Sequence, residues 1–287
     1  MANYNVSNMN QFINALTSLT DGDTIDIMAD LDYNDVFLDI QESIRVPTAG
    51  YATNCTINGN NHAIYNIDNT LFQQGGFNIF NVYAQHLRVN NLSFLNCNMT
   101  KAGAIFNFQF SNNTDIIFNG GVIQGKFMYA PFRCYSNSVM INNCMITFNQ
   151  SKGRLSGDTA THSVVFRFCW INFDNCELAD LSGVRFILAN LDTCYVKGMI
   201  KSTTTGQFVF FGGYTSNCCF NVTLGNGHNI SSIDTIFSNT GEFINIVNAD
   251  KVNTQEPLES TTHNILVTDT QMHDAEYLAS IGFNIVS

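Results

Sequence analysis

The chain has 287 residues, of which 45% are apolar, so it is long enough and apolar enough to bury a large core. Only 12% of its residues are charged, and 23 acidic against 12 basic residues give a net charge of −11. Phosphate backbones and anionic lipids are bound by clustered Lys and Arg, so this balance argues against nucleic-acid and membrane-surface partners. The first residues lack the charged and apolar regions of a signal peptide, and no stretch reaches about 18 consecutive apolar residues. We therefore expect folding in a cytoplasm, without a transmembrane segment.

The first predicted element is a short helix over residues 8–18. Met9, Phe12, Ile13 and Leu16 recur at helical spacing, and Ser7 is placed to act as the N-cap. The next element is a strand over Thr24–Ile27, where apolar and polar residues alternate.

A five-residue pattern, in which a polar pair precedes a Cys and an apolar residue, then recurs along the chain. The copies are Thr53–Ile57, Leu95–Met99, Asn142–Ile146, Asp174–Leu178, Asp192–Val196 and Ser216–Phe220, with a degenerate copy at Asn119–Ile123. The third positions of these copies are separated by 42, 24, 23, 32, 18 and 24 residues. We interpret the 42 as two turns with one weak copy missed, and the 32 as one turn with a loop at Ser151–Thr161. A period of 20–25 residues with strand-like units is typical of a stacked solenoid.

The cysteines are explained by this pattern. Asn tolerates the left-handed backbone of a tight bend, and a Cys just after the bend is small and apolar enough to face a narrow core. We expect one inward column made of Cys55, Cys97, Cys144, Cys176 and Cys194. An odd total of nine cysteines without a CxxC pair argues against disulfides and zinc, so we predict free thiols. Reactive or metal-binding thiols are the alternative.

Phe-rich segments upstream of the bends predict a second strand in each turn, giving two or three strands per turn. These segments are Ile105–Phe110, Val164–Phe168, Arg185–Leu188 and Phe208–Phe211. Near the end of the chain, Thr268–Gln271 forms a capping box and Gly282 supplies a helix stop. The predicted fold is an all-β, single-stranded parallel β-helix. It comprises an N-terminal capping helix over residues 1–19, the β-helix over 20–250, and a C-terminal extension with a short helix over 251–287.

Two segments resemble known proteins. Phe12–Leu16 followed by Gly22–Ile25 resembles the opening of pectate-lyase-like right-handed parallel β-helix proteins, in which a cap helix precedes the first strand. Val267–Phe283 resembles the endings of tailed-phage virion proteins. These resemblances imply a right-handed β-helix and a virion location, and β-helix appendages of this kind are often homotrimers.

Because the β-helix family includes polysaccharide lyases and glycosidases, we sought a carboxylate pair. Aligning the copies on the Cys places Asp174 and Asp192 on adjacent turns, roughly 4.8 Å apart along the stack. Retaining glycosidases hold their two carboxyl groups about 5–5.5 Å apart, so the pair is compatible with hydrolysis. The alternative is that both residues fill turn positions in which Asp and Asn are interchangeable.

The other motifs of the family are largely missing. Asn113–Asp115 matches the NTD of polygalacturonases, but their Asp pair, GHG and RIK are absent, and Gly225–His228 is a poor substitute for the GHG. Arg133 and Arg167 each follow a Phe, and we expect them on one face of equivalent strands. They are candidates for a lyase base, or they are arginines whose stems lie along apolar surface.

The sequence therefore predicts a non-enzymatic structural or adhesive component of a phage virion, such as a fibre, appendage or decoration protein. It would act through protein–protein or glycan contacts on the β-helix surface. The expected partners are other virion proteins or a host-surface glycan, and no catalytic, cofactor-binding or metal-binding residue is assigned. The alternative is a polysaccharide lyase or glycoside hydrolase that uses Asp174 and Asp192.

Overall fold

The computed structural model describes residues 1–72, 78–101, 103–109, 115–128, 131–134, 139–151, 164–178, 185–187, 189–202, 209–211, 215–224, 244–252 and 258–283. The helices are α1 (Met9–Thr17), α2 (Asp269–Met272) and α3 (Ala275–Ser280), with 3-10 turns at Tyr33–Asp35 and Ala249–Lys251. The first half of the chain forms strands β1 (Asn3–Val6), β2 (Thr24–Ile27), β3 (Leu31–Asp32), β4 (Ile44–Val46), β5 (Ala52–Thr53), β6 (Thr56–Asn58), β7 (Ala63–Tyr65), β8 (Phe80–Val82), β9 (Ala84–Gln85), β10 (Leu87–Asn90), β11 (Ser93–Met99), β12 (Phe106–Phe108), β13 (Ile116–Asn119) and β14 (Val122–Phe127). The second half forms β15 (Phe132–Cys134), β16 (Val139–Asn142), β17 (Met145–Asn149), β18 (Val164–Arg167), β19 (Trp170–Leu178), β20 (Arg185–Ile187), β21 (Ala189–Asp192), β22 (Tyr195–Ser202), β23 (Val209–Phe211), β24 (Thr215–Ser216), β25 (Cys219–Leu224), β26 (Asn245–Asn248) and β27 (Asn264–Val267).

These strands form a parallel β-solenoid of about seven turns, which confirms the predicted fold class. Sheet A has nine strands in the order β1-β2-β6-β10-β13-β16-β18-β21-β24. Sheet B has ten strands in the order β27-β26-β25-β22-β19-β17-β14-β11-β7-β3. Sheet C is shorter, in the order β15-β12-β8-β4, and β20–β23 and β5–β9 form two separate pairs. The last strand of sheet B, β27, lies beyond residue 250, where the sequence places the end of the β-helix.

The register of sheet A gives the length of each turn. Met140 lies opposite Ile117, Val165 opposite Met140, and Asn190 opposite Val165, so successive turns are 23, 25 and 25 residues long. The 32-residue Cys interval is therefore not a turn with an extra loop. Most of that segment, residues 152–163, lies outside the described residues.

The chain turns from sheet A into sheet B through a residue with left-handed backbone. This residue is Asn91, Gly120, Asn143, Phe168, Thr193 and Asn217 in successive turns. Asn and Gly adopt this conformation at little cost, which explains the Asn-rich composition. The degenerate copy at Asn119–Ile123 is confirmed as a true repeat, because Asn119 stacks on Asn142 and Val122 on Met145.

Outward amides hydrogen-bond from turn to turn beside these bends. Asn58 Nδ2 donates to Asp26 Oδ1 at 2.8 Å, and Asn90 Nδ2 donates to Asn58 Oδ1 at 3.2 Å. Asn142 Nδ2 donates to Asn119 Oδ1 at 3.2 Å in the same column. Stacked amides of this kind fix the register, because a slip by one residue would break every bond in the column.

The solenoid interior is filled by Phe, Ile and Val. Phe118 and Phe132 stack with ring centroids 4.0 Å apart, and Phe106 stacks on Phe80 at 5.2 Å. Each fully buried Phe contributes about 1.5–3 kcal/mol of transfer free energy. The Phe-rich segments, however, do not form one repeated strand as predicted. The described strands within them lie in sheet C (β12), in sheet A (β18) and in the separate pair β20–β23.

The single cysteine column is the main error in the sequence analysis. Cys144, Cys169, Cys194 and Cys218 each follow the left-handed residue between sheets A and B, and they form one column. Cys97 and Cys176 follow Asn96 and Asn175 at a second bend within sheet B, and Cys55 follows Asn54 at a third bend that leads into sheet A. The three bends look alike in sequence because each needs a left-handed residue followed by a small buried one.

The inward orientation of the five cysteines predicted to face the core is nevertheless confirmed, because all five belong to the main buried cluster. The eight cysteines whose side chains are described are buried free thiols. Burial raises the pKa of Cys176 to about 12 and also raises that of Cys194, so these thiols resist ionisation.

The predictions for the two ends are nearly correct. Helix α1 begins after Asn8, whose Oδ1 accepts from the Gln11 amide at 2.9 Å, so Asn8 rather than Ser7 is the N-cap. The amide of Ser7 instead donates to Gln11 Oε1 at 2.8 Å. The capping box of Thr268 and Gln271 is present, and Gly282 has left-handed backbone after α3.

Asp23 is a buried carboxylate at the first turn, with 1% of its surface exposed. Burial alone would raise its pKa, but hydrogen bonds from the Ala2 and Thr20 amides and the Thr20 hydroxyl outweigh burial and lower it. A depressed pKa stabilises the fold above the unfolded value of 3.8, and this contribution is lost as the pH falls through the folded-state pKa.

We predict that Asp23→Asn lowers the free energy of unfolding by about 1–3 kcal/mol at pH 7. The difference from wild type in urea denaturation should shrink below about pH 4. The exposed Asp39→Asn should have no such effect, and equal losses in both variants would contradict this role.

Gly198 tests the register of sheet B. It has φ +115°, and a Cβ there would lie 2.1 Å from the Phe173 carbonyl oxygen on the neighbouring turn. Gly50 also has left-handed backbone, but a Cβ there would meet nothing within 4 Å. Gly50→Ala reports the cost of left-handed backbone, about 1–2 kcal/mol, whereas Gly198→Ala adds the clash and the further strain of φ +115°, which L residues rarely adopt. We predict that Gly198→Ala is more destabilising by at least about 2 kcal/mol in urea denaturation. Equal losses would show that β19 and β22 are not stacked in this register.

Candidate binding surface on sheet B

The outer face of sheet B carries a column of apolar side chains, which we call the apolar stripe. It comprises Val122, Met145, Trp170, Tyr195, Cys219, Ile246 and Ile265, stacked in register on successive strands. Outward positions of a sheet that faces water on one side are normally polar, so an apolar column there needs a covering partner.

The C-terminal helices cover one half of this stripe. Met272 of α2, Leu278 of α3 and Phe283 form a buried cluster with Cys219 and Ile246. Tyr195 and Ile265 pack at the margin of this cluster. The short helices therefore act as an internal partner for the stripe.

The other half of the stripe is open. Met145 is 60% exposed and Trp170 is 39% exposed. The Trp170 ring lies 4.8 Å from the Tyr195 ring at an angle of 46°, so the two aromatics form a tilted pair at the edge of the covered region. Trp170 is the single tryptophan of the chain.

Phe168 adds a second exposed aromatic beside Trp170, and its position is unusual. It is 46% exposed and has φ +51° at the bend where four of the other five turns place Asn or Gly. Left-handed backbone costs a bulky residue roughly 1–2 kcal/mol, and with 46% of its surface exposed Phe168 recovers only part of the free energy that a fully buried Phe would gain. Strained positions of this kind cluster at functional sites. Thr193 occupies the same strained position on the next turn.

Polar side chains flank the open half of the stripe. The next outward column of sheet B runs through Gln124, Thr147, Asn172, Lys197 and Asn221. Asn221 Nδ2 contacts the Tyr195 hydroxyl at 3.2 Å. Burial raises the pKa of Tyr195, although the bond with Asn221 partly offsets the rise, so this phenol stays protonated and can donate.

A polar groove of about 420 Å³ lies farther along the same face, and Asn149 of β17 lies on its wall. Its other polar lining residues include Asn66, Asp68, Asn96, Asn98 and Lys126. Asn98 Nδ2 donates to Asp68 Oδ2 at 2.7 Å, and the Thr70 amide donates to Asp68 Oδ1 at 2.6 Å. Amides and one ammonium group arranged in this way can hydrogen-bond a hydroxyl-rich ligand.

The predicted carboxylate pair is not brought together. Asp174 lies on β19 of sheet B, opposite Asn149, whereas Asp192 lies on β21 of sheet A, opposite Arg167. The Arg167 Nε donates to Asp192 Oδ2 at 2.8 Å, so Asp192 is engaged in an ion pair. The pairing failed because it aligned two different bends and thereby assumed an 18-residue turn.

The remaining candidates are also separated or lie elsewhere. Arg133 belongs to sheet C and Arg167 to sheet A, so the expected shared face is wrong. Asp115 is exposed and pairs with Arg88 at 3.2 Å. Asn113, Thr114 and Gly225–His228 lie outside the described residues.

Sequence reasoning missed the stripe and Phe168 altogether. The signal for Phe168 is Arg167-Phe168-Cys169-Trp170, a further copy of the bend pattern in which Phe replaces the usual Asn. Within the parts of the chain that the structure describes, no group of three or more His, Cys, Asp or Glu residues could hold a metal ion. Across the same residues, no helix combines the length and apolar character needed to cross a membrane. No protein-family model, curated protein or solved structure matches this chain.

Proposed function

We propose that the protein is a non-enzymatic adhesive component of a phage virion, such as a fibre, appendage or decoration protein, that binds a glycan on the outer face of sheet B. The observation that carries the proposal is Phe168, a strained and exposed aromatic residue two positions from the exposed Trp170. Aromatic faces beside amide and hydroxyl groups suit sugar rings, which present C–H faces and hydroxyl edges. The virion setting is proposed from the resemblance of residues 267–283 to virion proteins.

Charge along the chain supports a contact surface in the middle of the solenoid. Residues 90–224 contain nine basic and six acidic residues, whereas residues 1–89 contain two basic and nine acidic ones. Residues 225–287 contain one basic and eight acidic residues. Of these three segments, residues 90–224, whose turns carry the open stripe, are therefore the only one without an acidic excess.

The depolymerase alternative loses the residue pair on which it was based. A retaining hydrolase needs two carboxyl groups at about 5–5.5 Å, and Asp174 and Asp192 belong to different sheets. A retaining glycoside hydrolase would need another pair of acids.

The substitution Phe168→Asn separates binding from folding. Asn is the residue that other turns use at this bend, so the variant should be at least as stable as wild type in urea denaturation. Glycan binding should weaken by at least about tenfold, equivalent to roughly 1.4 kcal/mol of lost contact. Binding can be followed by the fluorescence of Trp170 during titration with capsule and cell-wall polysaccharides of the host.

Leu38→Asn is the matched control, because Leu38 is 75% exposed and lies 130 residues before Phe168, outside sheet B. It should bind like wild type. If the Phe168→Asn variant bound the glycan with the affinity of the wild-type protein, the outer face of sheet B would not be the binding surface. New reducing ends or unsaturated sugars in the same mixtures, lost in Asp174→Asn or Asp192→Asn, would instead establish an enzyme.

A further inference from the structure

Among the residues that the structure describes, no strand pairs with the outer edge of β1. β1 pairs in parallel with β2, and it is the outermost strand of the nine. The Thr24 amide donates to the Ala2 carbonyl at 3.0 Å, and the Met28 amide donates to the Val6 carbonyl at 2.8 Å. Backbone groups alternate in direction along a strand, so those of Asn3 and Asn5 point away from β2.

These free groups face a groove. The groove has a volume of about 430 Å³ and lies between β1 and helix α1, with Gln11, Asn14 and Ser18 on the helix side. Helix α1 caps the core through Phe12 and Leu16, and its exposed side forms the other wall of this groove.

This edge lacks the usual protection. Natural edge strands carry Lys, Pro, a bulge or a covering element, which prevent them from pairing with another chain. β1 has the sequence Asn3-Tyr4-Asn5-Val6, and every residue that lines the groove is uncharged. Residues 1–89 contain nine acidic residues, whereas none of the residues that line the groove beside β1 is charged. A second copy can approach this end of the molecule without placing acids directly against acids.

We propose that β1 is a dimerisation edge, at which the β1 strand of a second copy adds in antiparallel orientation and continues the ladder of sheet A. In a two-fold interface residue i of one copy meets residue j of the other and residue j meets residue i, so a register centred on Tyr4 pairs Asn3 with Asn5 twice. With Tyr4 on the two-fold axis, Asn3 lies opposite Asn5 of the other copy. The two residues exchange both amide–carbonyl bonds, so the interface has four backbone hydrogen bonds. An antiparallel edge on a parallel sheet is a common arrangement.

The interface is small, so the dimer is weak and concentration-dependent. Sedimentation velocity of the full chain should show a monomer–dimer equilibrium. High salt should shift this equilibrium towards the dimer, because each copy carries a net charge of −11 and screening reduces the repulsion.

Asn3→Pro removes one outward amide while leaving the ladder to β2 intact, because Pro is tolerated as the first residue of a strand. We expect the dissociation constant of the dimer to rise at least ~10-fold, while the thermal stability of the chain is unchanged. Asn5→Lys should have the same effect, since Lys on an edge opposes pairing. The control is Asn10→Lys, which adds the same charge to an exposed position of α1 outside the groove and should leave the dimer intact.

The register is tested by disulfide formation between differently tagged copies. Residues opposite each other in a hydrogen-bonded antiparallel pair have Cα atoms about 5.5 Å apart, within the range of a disulfide. A mixture of Asn3→Cys and Asn5→Cys copies should cross-link, and each variant alone should not. A monomer at all concentrations, or an oligomer insensitive to Asn3→Pro and Asn5→Lys, overturns the proposal. Cross-linking of Asn3→Cys with itself overturns the antiparallel register.

Discussion

The structure depends on the stacking of successive turns in register through left-handed bends. Each bend needs a residue that accepts positive φ, and Asn supplies both this backbone and an outward amide that bonds to the neighbouring turn. The left-handed Asn143 donates from Nδ2 to Asn119 Oδ1 at 3.1 Å, and Asn142, the strand residue before it, donates to the same oxygen in a column of sheet A. With the column fixed, alternate residues of every strand have a defined face, and the buried Phe, Ile, Val and Cys follow.

This constraint explains how much of the fold could be predicted from sequence. The repeated bend predicts a solenoid because its period of 20–25 residues is too short for a globular unit. The repeated bend could not predict the register, because each turn has more than one bend and all of the bends have a similar sequence pattern. Asn54-Cys55, Asn96-Cys97 and Asn143-Cys144 look alike, yet they lie at three different corners. The false pair of Asp174 and Asp192 followed directly from that ambiguity.

The candidate surface was harder to predict because its signal is a departure from the repeat. Trp170 and Met145 occupy positions that alternate correctly for a strand, and only the register shows that they stack with Cys219 and Ile246. The covered and open halves of the stripe also cannot be separated without knowing where α2 and α3 fold back. The anomaly at Phe168 becomes visible once the bend is aligned with Asn143 and Asn217.

The most direct test of the account is the register itself, measured by spin–spin coupling between nitroxide labels. The account places Asn149 and Asp174 opposite each other on adjacent turns of sheet B, about 4.8 Å apart, whereas Asp174 and Asp192 lie in different sheets. Labels on Asn149→Cys and Asp174→Cys in one chain should couple strongly, and labels on Asp174→Cys and Asp192→Cys should couple much more weakly. Stronger coupling of the second pair would contradict the register and restore the 18-residue turn.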